Sequence, residues 1–152
     1  MLNNQPIIRL AKIEDVQQLI ALCKAHASYE KADYDTLGKN ELLVAHLFPN
    51  NENIKCIVVE EHNKLLGYST ILKQFSTWDA NFYLYVDCLY LKEKARGKGL
   101  GRKIMNEIKK YAQQEQCNIQ WQTPLFNTNA IKFYESLGAI HKTKERFFWN
   151  IL

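Results

Sequence analysis

The chain has 152 residues and a mass of 17.8 kDa, a size that suits one domain with one core. Hydrophobic residues make up 47% of it, charged residues 24%, and the net charge is +4, which is the composition of an ordinary soluble globular protein. No apolar run approaches the ~20 residues of a membrane span, and residues 1–6 lack the basic start and apolar centre of a secretory signal. We therefore expect a single cytoplasmic domain over residues 1–152.

The first half of the chain predicts a strand, two helices and a hairpin. Apolar residues recur at helical spacing from Val16 through Tyr29, which indicates a helix packed on the core. Around it we predict a strand at 7–10, a short helix at 40–48 stopped by Pro49-Asn50-Asn51, and a hairpin of strands at 54–60 and 65–75.

The second half predicts two more strands and two more helices. A long strand at 81–91 precedes a helix with an apolar stripe at Leu100, Ile104, Ile108 and Tyr111. A strand at 118–122 and a helix at about 128–136 follow; Asn127 is a plausible N-cap and Gly138 a plausible stop. The apolar residues of 139–152 predict one or two closing strands. This order indicates an α/β or α+β sandwich, with helices on both faces of a central sheet.

The cysteines and histidines are dispersed. The four cysteines lie in apolar segments without short paired spacing, and the four histidines share no helix face: Cys23, Cys56, Cys88, Cys117, His26, His46, His62 and His141. We expect reduced thiols in the core and no metal site.

A glycine-rich loop at 96–101 is the most informative local pattern. Gly97, Gly99 and Gly101 stand at alternate positions between the long strand and an amphipathic helix. Such a loop lets the backbone approach an anion, and the helix start supplies N–H donors and a partial positive charge. The spacing matches neither a Walker A loop nor the dinucleotide fingerprint. A simple turn between strand and helix is the competing interpretation.

Positive charge concentrates on the same loop and helix. Residues 92–110 hold eight Lys or Arg against two Glu, so the rest of the chain is slightly acidic. A basic helix is also typical of nucleic-acid binding. We favour a small polyanion and expect no nucleic-acid partner, because a single cluster beside a glycine loop does not form a continuous duplex track.

Two motifs together resemble the GNAT superfamily of N-acetyltransferases. Arg96, Gly99 and Gly101 fit the acetyl-coenzyme A loop of that superfamily, and Asn127, Ala130, Phe133 and Tyr134 fit its second signature about thirty residues later. The resemblance runs from Ile7 to the end of the chain. It implies the GNAT fold, a mixed, mainly antiparallel sheet flanked by helices on both faces, and acetyl-CoA as cofactor.

The resemblance assigns a cofactor surface. It implies that the main chain of the long strand pairs with the pantetheine arm, that the loop takes the pyrophosphate, and that Asn127 and Phe133 lie at the cofactor. The residues concerned are Leu89, Tyr90, Leu91, Arg96, Gly97, Lys98, Gly99, Leu100, Gly101, Arg102, Asn127 and Phe133.

Asp87 and Tyr134 are the candidate catalytic residues. An alkylamine with a pKa near ~10 needs a general base at neutral pH, and Asp87 falls where diamine N-acetyltransferases carry an acid that acts through water. Tyr134 matches the position of the family's proton donor. A structural Asp and a core Tyr are the competing interpretations of these two residues.

The acceptor side is expected to use acids and aromatic rings. Residues 29–35 are rich in both, which suits a cation, although a solvated acidic loop is the plainer interpretation. Tyr29 and Glu30 resemble a Tyr-Glu pair of the spermidine/spermine-type enzymes, as does Trp78 on its loop. The candidate substrate-binding residues are Tyr29, Glu30, Asp33, Trp78 and Asp87.

Two departures separate the chain from that subgroup. Cys88 stands where those enzymes have a second acid, and Asn129 where they have Pro. We therefore predict an acetyl-CoA-dependent N-acetyltransferase for a small diamine or polyamine. Another amine (an aminoglycoside, an amino acid analogue or a protein lysine) and a non-catalytic acyl-CoA sensor are the alternatives. We also expect a homodimer, because relatives commonly pair and the run 147–152 could extend a sheet across two subunits.

Overall fold

The structure is a computed structural model that describes residues 5–48 and 51–152. Residues 49 and 50 of the predicted helix stop lie outside these ranges. So do residues 1–4, which belong to the segment that lacks the features of a secretory signal. The elements are β1 (Ile7–Leu10), α1 (Val16–Tyr29), α2 (Lys39–Leu47), β2 (Ile54–Glu61), β3 (Lys64–Ser76), β4 (Asn81–Leu91), α3 (Leu100–Gln114), β5 (Asn118–Trp121) and α4 (Thr128–Ser136).

The chain divides into two compact units, Met1–Gln122 and Thr123–Leu152. The first unit holds β1 to β5 with α1, α2 and α3, and the second holds α4. That residues 1–152 form one domain stays a prediction. Within the described ranges, no helix is both long enough and apolar enough to cross a membrane.

The first unit is built on a five-stranded sheet in the order β1-β2-β3-β4-β5. The first three pairings are antiparallel and the β4–β5 pairing is parallel. A parallel pair needs a crossover connection, which α3 supplies between β4 and β5. The predicted mixed, mainly antiparallel sheet is confirmed.

Helices cover both faces of the sheet, and the side chains of β2 point alternately toward the two faces. Cys56 and Val58 join a buried cluster with Leu19 and Leu22 of α1. The intervening side chains of β2 point to the opposite face, because successive residues of a strand alternate. On that face α3, which buries Ile104 among others, contacts β2, β4 and β5. The expected sandwich is therefore observed.

The predicted closing strands are not observed. Residues 139–152 carry no helix or strand, and Phe147, Trp149 and Leu152 are exposed. The prediction rested on apolar composition. Composition alone does not supply the hydrogen-bonded neighbour that a strand needs.

Candidate active site

Asp87 lies at a bulge in β4. Thr70 of β3 stands opposite Cys88, and Ile71 stands opposite Val86, so the register leaves Asp87 without an opposite residue on β3. A bulge bends its strand and re-aims the side chain beside it. The Asp87 side chain is exposed, so the bulge presents a carboxylate in the middle of a long central strand.

The pairing of β4 with β5 ends before this bulge. The parallel pairing covers only Tyr83–Val86 of β4, against residues 118–121 of β5. From Asp87 to Leu91, β4 has β3 on one side and no paired residue of β5 on the other. The backbone groups of a strand edge can pair with another extended chain, so this half of β4 offers an edge for an amide-containing ligand.

The glycine loop opens α3 in the left-handed backbone region. Gly97 has φ +72° and Gly99 has φ +74°, values that favour glycine. The N–H of Lys103 bonds to the Gly99 carbonyl at 3.1 Å, so the N–H groups of the preceding turn remain at the helix start. A Cβ built on either glycine meets no atom within 4 Å. The loop therefore has the donors, the charge and the space for a phosphate group.

Arg96 joins this loop to the end of α1. Its guanidinium carbon lies 4.4 Å from the ring centroid of Tyr29 and 5.5 Å from that of Tyr90. Its Nε donates to the carbonyl oxygen of Leu91 at 2.9 Å. The structure thus brings together four of the predicted site residues: Tyr29, Tyr90, Leu91 and Arg96.

Glu30 follows α1 beside this cluster. Its carboxylate oxygen Oε1 lies 3.1 Å from Nε2 of His26, one turn earlier in the helix, and its side chain is 34% exposed. Asp33 lies in the exposed segment that follows. Glu30 is therefore both held by the protein and accessible to a ligand.

Cys88, next to Asp87, is a protonated thiol. Burial raises its pKa to about 11, and its Sγ lies 3.7 Å from Oδ2 of Asp87. A thiol in this state is a poor nucleophile at neutral pH. The surroundings of Cys88 therefore do not activate it as a nucleophile. No group of three or more His, Cys, Asp or Glu among the described residues could hold a metal ion.

Trp78 is separated from the rest of the predicted acceptor site. It lies in the β3–β4 turn and is 95% exposed. Asp87 stands six positions after Asn81, which corresponds to about 20 Å along β4 at the usual strand rise. Within this unit, Trp78 and Asp87 are thus not brought together around one small amine.

The second unit holds Asn127, Phe133 and Tyr134. Asn127 is buried and caps α4 as predicted, its Oδ1 accepting from the N–H of Ala130 at 3.4 Å. The rings of Phe133 and Tyr134 are in contact, 5.2 Å between centroids, and both side chains are half-buried. The catalytic and cofactor-binding roles predicted for these three residues stay predictions.

The sequence pattern did not single out two residues that complete the site. His26 contacts Glu30 and stacks on Tyr90, with 5.3 Å between ring centroids, and Tyr68 bonds to His26. The available signal was the spacing of His26 and Glu30, which stand four residues apart on one helix face. Nothing local connects Tyr68 to them, because it lies 42 residues beyond His26.

A glycine loop that opens a helix, beside a strand whose C-terminal half has no partner in β5, suits a ligand that carries both phosphate groups and amides. Comparison with known proteins agrees: residues 13–139 match the Acetyltransferase (GNAT) family, and the chain belongs to that family. It is therefore an acyltransferase that transfers acetyl groups, as the two motifs predicted.

The individual relatives are named after different amines. A thialysine N-epsilon-acetyltransferase of Sus scrofa is 28% identical over 88% of this chain and 83% of its own length. The spermidine/spermine N(1)-acetyltransferase-like protein 1 of Homo sapiens is 24% identical over 91% of this chain and 21% of its own length. An aminoglycoside acetyltransferase from an uncultured soil sample is 17% identical with a TM-score of 0.79, over 100% of this chain and 99% of its own, and shows the fold alone.

Proposed function

We propose that the protein transfers acetyl from acetyl-CoA to a primary amine of a small diamine or polyamine. The observation that carries this proposal is Glu30, a partly exposed carboxylate at the end of α1, which follows Tyr29, whose ring lies against Arg96 of the glycine loop. A carboxylate and aromatic faces together suit an alkylammonium group. The names of the thialysine and spermidine/spermine-type relatives support an amine acceptor of this kind.

The cofactor fits the open edge and the loop. The main chain of Leu89, Tyr90 and Leu91 would pair with the pantetheine amides, and residues 96–102 would bind the pyrophosphate through N–H groups and positive charge. Asn127 and Phe133 are proposed to bind the cofactor as well, as the family motif implies. The bound cofactor supplies the acetyl group as a thioester.

Two residues would move the protons. Asp87 would take a proton from the acceptor ammonium, directly or through water, because an amine with a pKa near ~10 is almost entirely protonated at neutral pH. The freed nitrogen would then form the C–N bond as the C–S bond breaks, and the second proton that this nitrogen loses in becoming an amide would pass to solvent water. Tyr134 would donate its phenolic proton to the departing sulfur, since phenol and thiol pKa values are close.

A second acceptor class is an amino acid analogue. The thialysine-acetylating relative favours it, and this chain has Cys88 where the spermidine-type enzymes have a second acid. One fewer carboxylate lowers the expected affinity for an acceptor with several positive charges. A short diamine or a thialysine-like amine is therefore a better candidate than spermine.

The test is thiol release from acetyl-CoA in the presence of single acceptors. The panel holds 1,3-diaminopropane, putrescine, spermidine, thialysine, an aminoglycoside and a lysine peptide, with Asp87→Asn as the matched control. We expect turnover with the short diamines or spermidine and a loss of about 10²-fold or more in the control. Turnover confined to the aminoglycoside or the peptide would reject the diamine, and no turnover with any amine would reject the proposal.

We propose further that the protein acts as a cytoplasmic homodimer. The free thiols of Cys23, Cys56, Cys88 and Cys117 suit a reducing compartment. The exposed apolar side chains of residues 147–152 are typical of a surface that pairs with another chain. Because Trp78 is far from Asp87 along β4, any contact of Trp78 with an acceptor held at Asp87 would come from the second copy.

A further inference from the structure

His26 lies between a buried hydroxyl and the candidate acceptor carboxylate. Its Nδ1 is 3.0 Å from the Tyr68 hydroxyl, and its Nε2 is 3.1 Å from Oε1 of Glu30. The ring also stacks on Tyr90, with planes 21° apart. The His26 side chain is only 13% exposed. Two hydrogen bonds and the stacking contact with Tyr90 therefore fix the position and the orientation of the His26 ring.

The hydrogen bonds have a defined direction. An ionised carboxylate only accepts, so Nε2 of His26 must carry the proton that bonds to Glu30. In the neutral ring, Nδ1 then accepts the hydrogen bond that the Tyr68 hydroxyl donates. Burial raises the pKa of Tyr68 above its usual value, so this hydroxyl keeps its proton. Tyr68 thereby selects the tautomer that donates to Glu30.

Glu30 does not stand where its charge would stabilise the helix. It is the residue that ends α1, next to the negative end of the helix dipole, where a carboxylate is unfavourable. Lys31 follows in the left-handed region, with φ +59°, so the backbone turns away at this point. The hydrogen bond from Nε2 of His26 holds the Glu30 carboxylate in this position.

We propose that His26 is a positioning residue that orients Glu30 toward the acceptor ammonium. The inference rests on the proposed function, because it assigns to Glu30 a contact with the amine. Beyond that function, we infer that the contact of Glu30 with the amine depends on the hydrogen bond from His26. The His26 ring is held in turn by its hydrogen bond to Tyr68 and by its stacking on Tyr90. His26 acts through Glu30 and does not touch the reacting atoms.

The test is a double-mutant cycle with steady-state kinetics on the best acceptor of the panel. His26→Leu removes the donor, Glu30→Gln removes the charge, and the double variant combines them. Each single variant should raise the amine KM about tenfold, with kcat and the acetyl-CoA KM within about threefold of the parent. The double variant should resemble Glu30→Gln alone, because residues that act as one unit are not additive. His26→Gln, which keeps a donor, should recover most of the affinity.

Several outcomes would overturn the inference. One is an additive effect of the two substitutions on the amine KM. Another is a fall in kcat while the amine KM stays constant. A third is an equal rise in the KM for the amine and the KM for acetyl-CoA. If His26→Leu does not fold, Tyr68→Phe replaces it, with an expected rise of about threefold in the amine KM that vanishes when Glu30 is already Gln. A parent without turnover on any amine would reject the proposed function itself, whereas an active parent with additive variants rejects only the role of His26.

Discussion

One phenolic hydroxyl, that of Tyr134, donates the proton in the proposed reaction. Tyr134→Phe removes this proton while keeping the ring, which contacts Phe133. We expect kcat to fall by about 10²-fold or more with little change in the affinity for acetyl-CoA. Steady-state kinetics and a cofactor titration check this. Parent-like turnover in the variant would remove Tyr134 from the mechanism.

A second residue, Asp15, stabilises the fold at the start of α1. Its buried carboxylate accepts from Arg9 at 2.7 Å and from the N–H of Lys12 at 2.7 Å, while Arg9 also bonds to Glu60 of β2. The hydrogen bond from Arg9 holds the pKa of Asp15 below its usual value. Asp15→Asn should lower the free energy of unfolding by about 2–3 kcal/mol at pH 7, because Arg9 loses part of its charge pairing.

The pH dependence of this contribution follows from the sign of the pKa shift. A carboxyl group with a lowered folded pKa stabilises the protein above its unfolded pKa, about 3.9, and this stability is lost as the pH falls through the folded value. Urea unfolding at pH 7 and at pH 3 should therefore show the gap between parent and Asp15→Asn narrowing at pH 3. Glu14→Gln, an exposed neighbour, is the matched control and should change stability little at either pH.

At the scale of elements, β4 contains the bulge and the half that has no partner in β5, and it precedes the glycine loop in the chain. Its end packs closely on Gly67 of β3, where an added Cβ would lie 2.5 Å from the carbonyl oxygen of Tyr90 and 2.5 Å from Cδ2 of Leu91. The backbone oxygen cannot move out of the way by a rotamer change. The spacing between β3 and β4 at the proposed pantetheine edge therefore depends on a residue without a side chain.

Gly67→Ala tests this dependence. We expect a loss of about 1–3 kcal/mol in unfolding free energy from overpacking, together with weaker acetyl-CoA binding, because the edge at residues 89–91 must shift. Calorimetric titration and urea unfolding measure both. Gly38→Ala is the control: it has φ +70° and open space, so it should cost about 1 kcal/mol of backbone strain without affecting the cofactor. Equal cofactor affinity in Gly67→Ala would refute the dependence.

At the scale of the whole molecule, the proposed dimer depends on residues 139–152. This segment has no strand, yet Phe147, Phe148 and Trp149 are among its exposed side chains. Burial of one such ring contributes roughly 1.5–3 kcal/mol. A second copy of the chain could supply the strand partner that the apolar composition predicts.

Sedimentation equilibrium tests this arrangement. The parent should dimerise, and the double variant Phe147→Asp with Trp149→Asp should shift toward monomer, because two charges would have to be desolvated in the interface. Leu37→Asp, an equally exposed apolar position in the first unit, is the control and should leave the association unchanged. A parent that stays monomeric at high concentration would contradict the dimer proposal.

Much of the architecture could be predicted because it depends on local signals. Apolar spacing located β1, α1, β4 and α4 at their observed bounds, and Asn127 and Gly138 mark the two ends of α4 as expected. Gly97 and Gly99 lie in the left-handed conformations that the loop requires. These features are set by residues within a few positions of one another.

The amino-acid sequence by itself determined the order of the elements, the loop that opens α3 and, through two motifs, the acetyltransferase family. Only the tertiary structure decided that Asp87 lies on a bulge, that Trp78 is far from it along β4, and that His26 joins Tyr68 to Glu30. Each of these depends on strand register or on the packing of α1 against β3, which bring together residues tens of positions apart. Local periodicity carries no information about such pairings, because they are set by how whole elements pack.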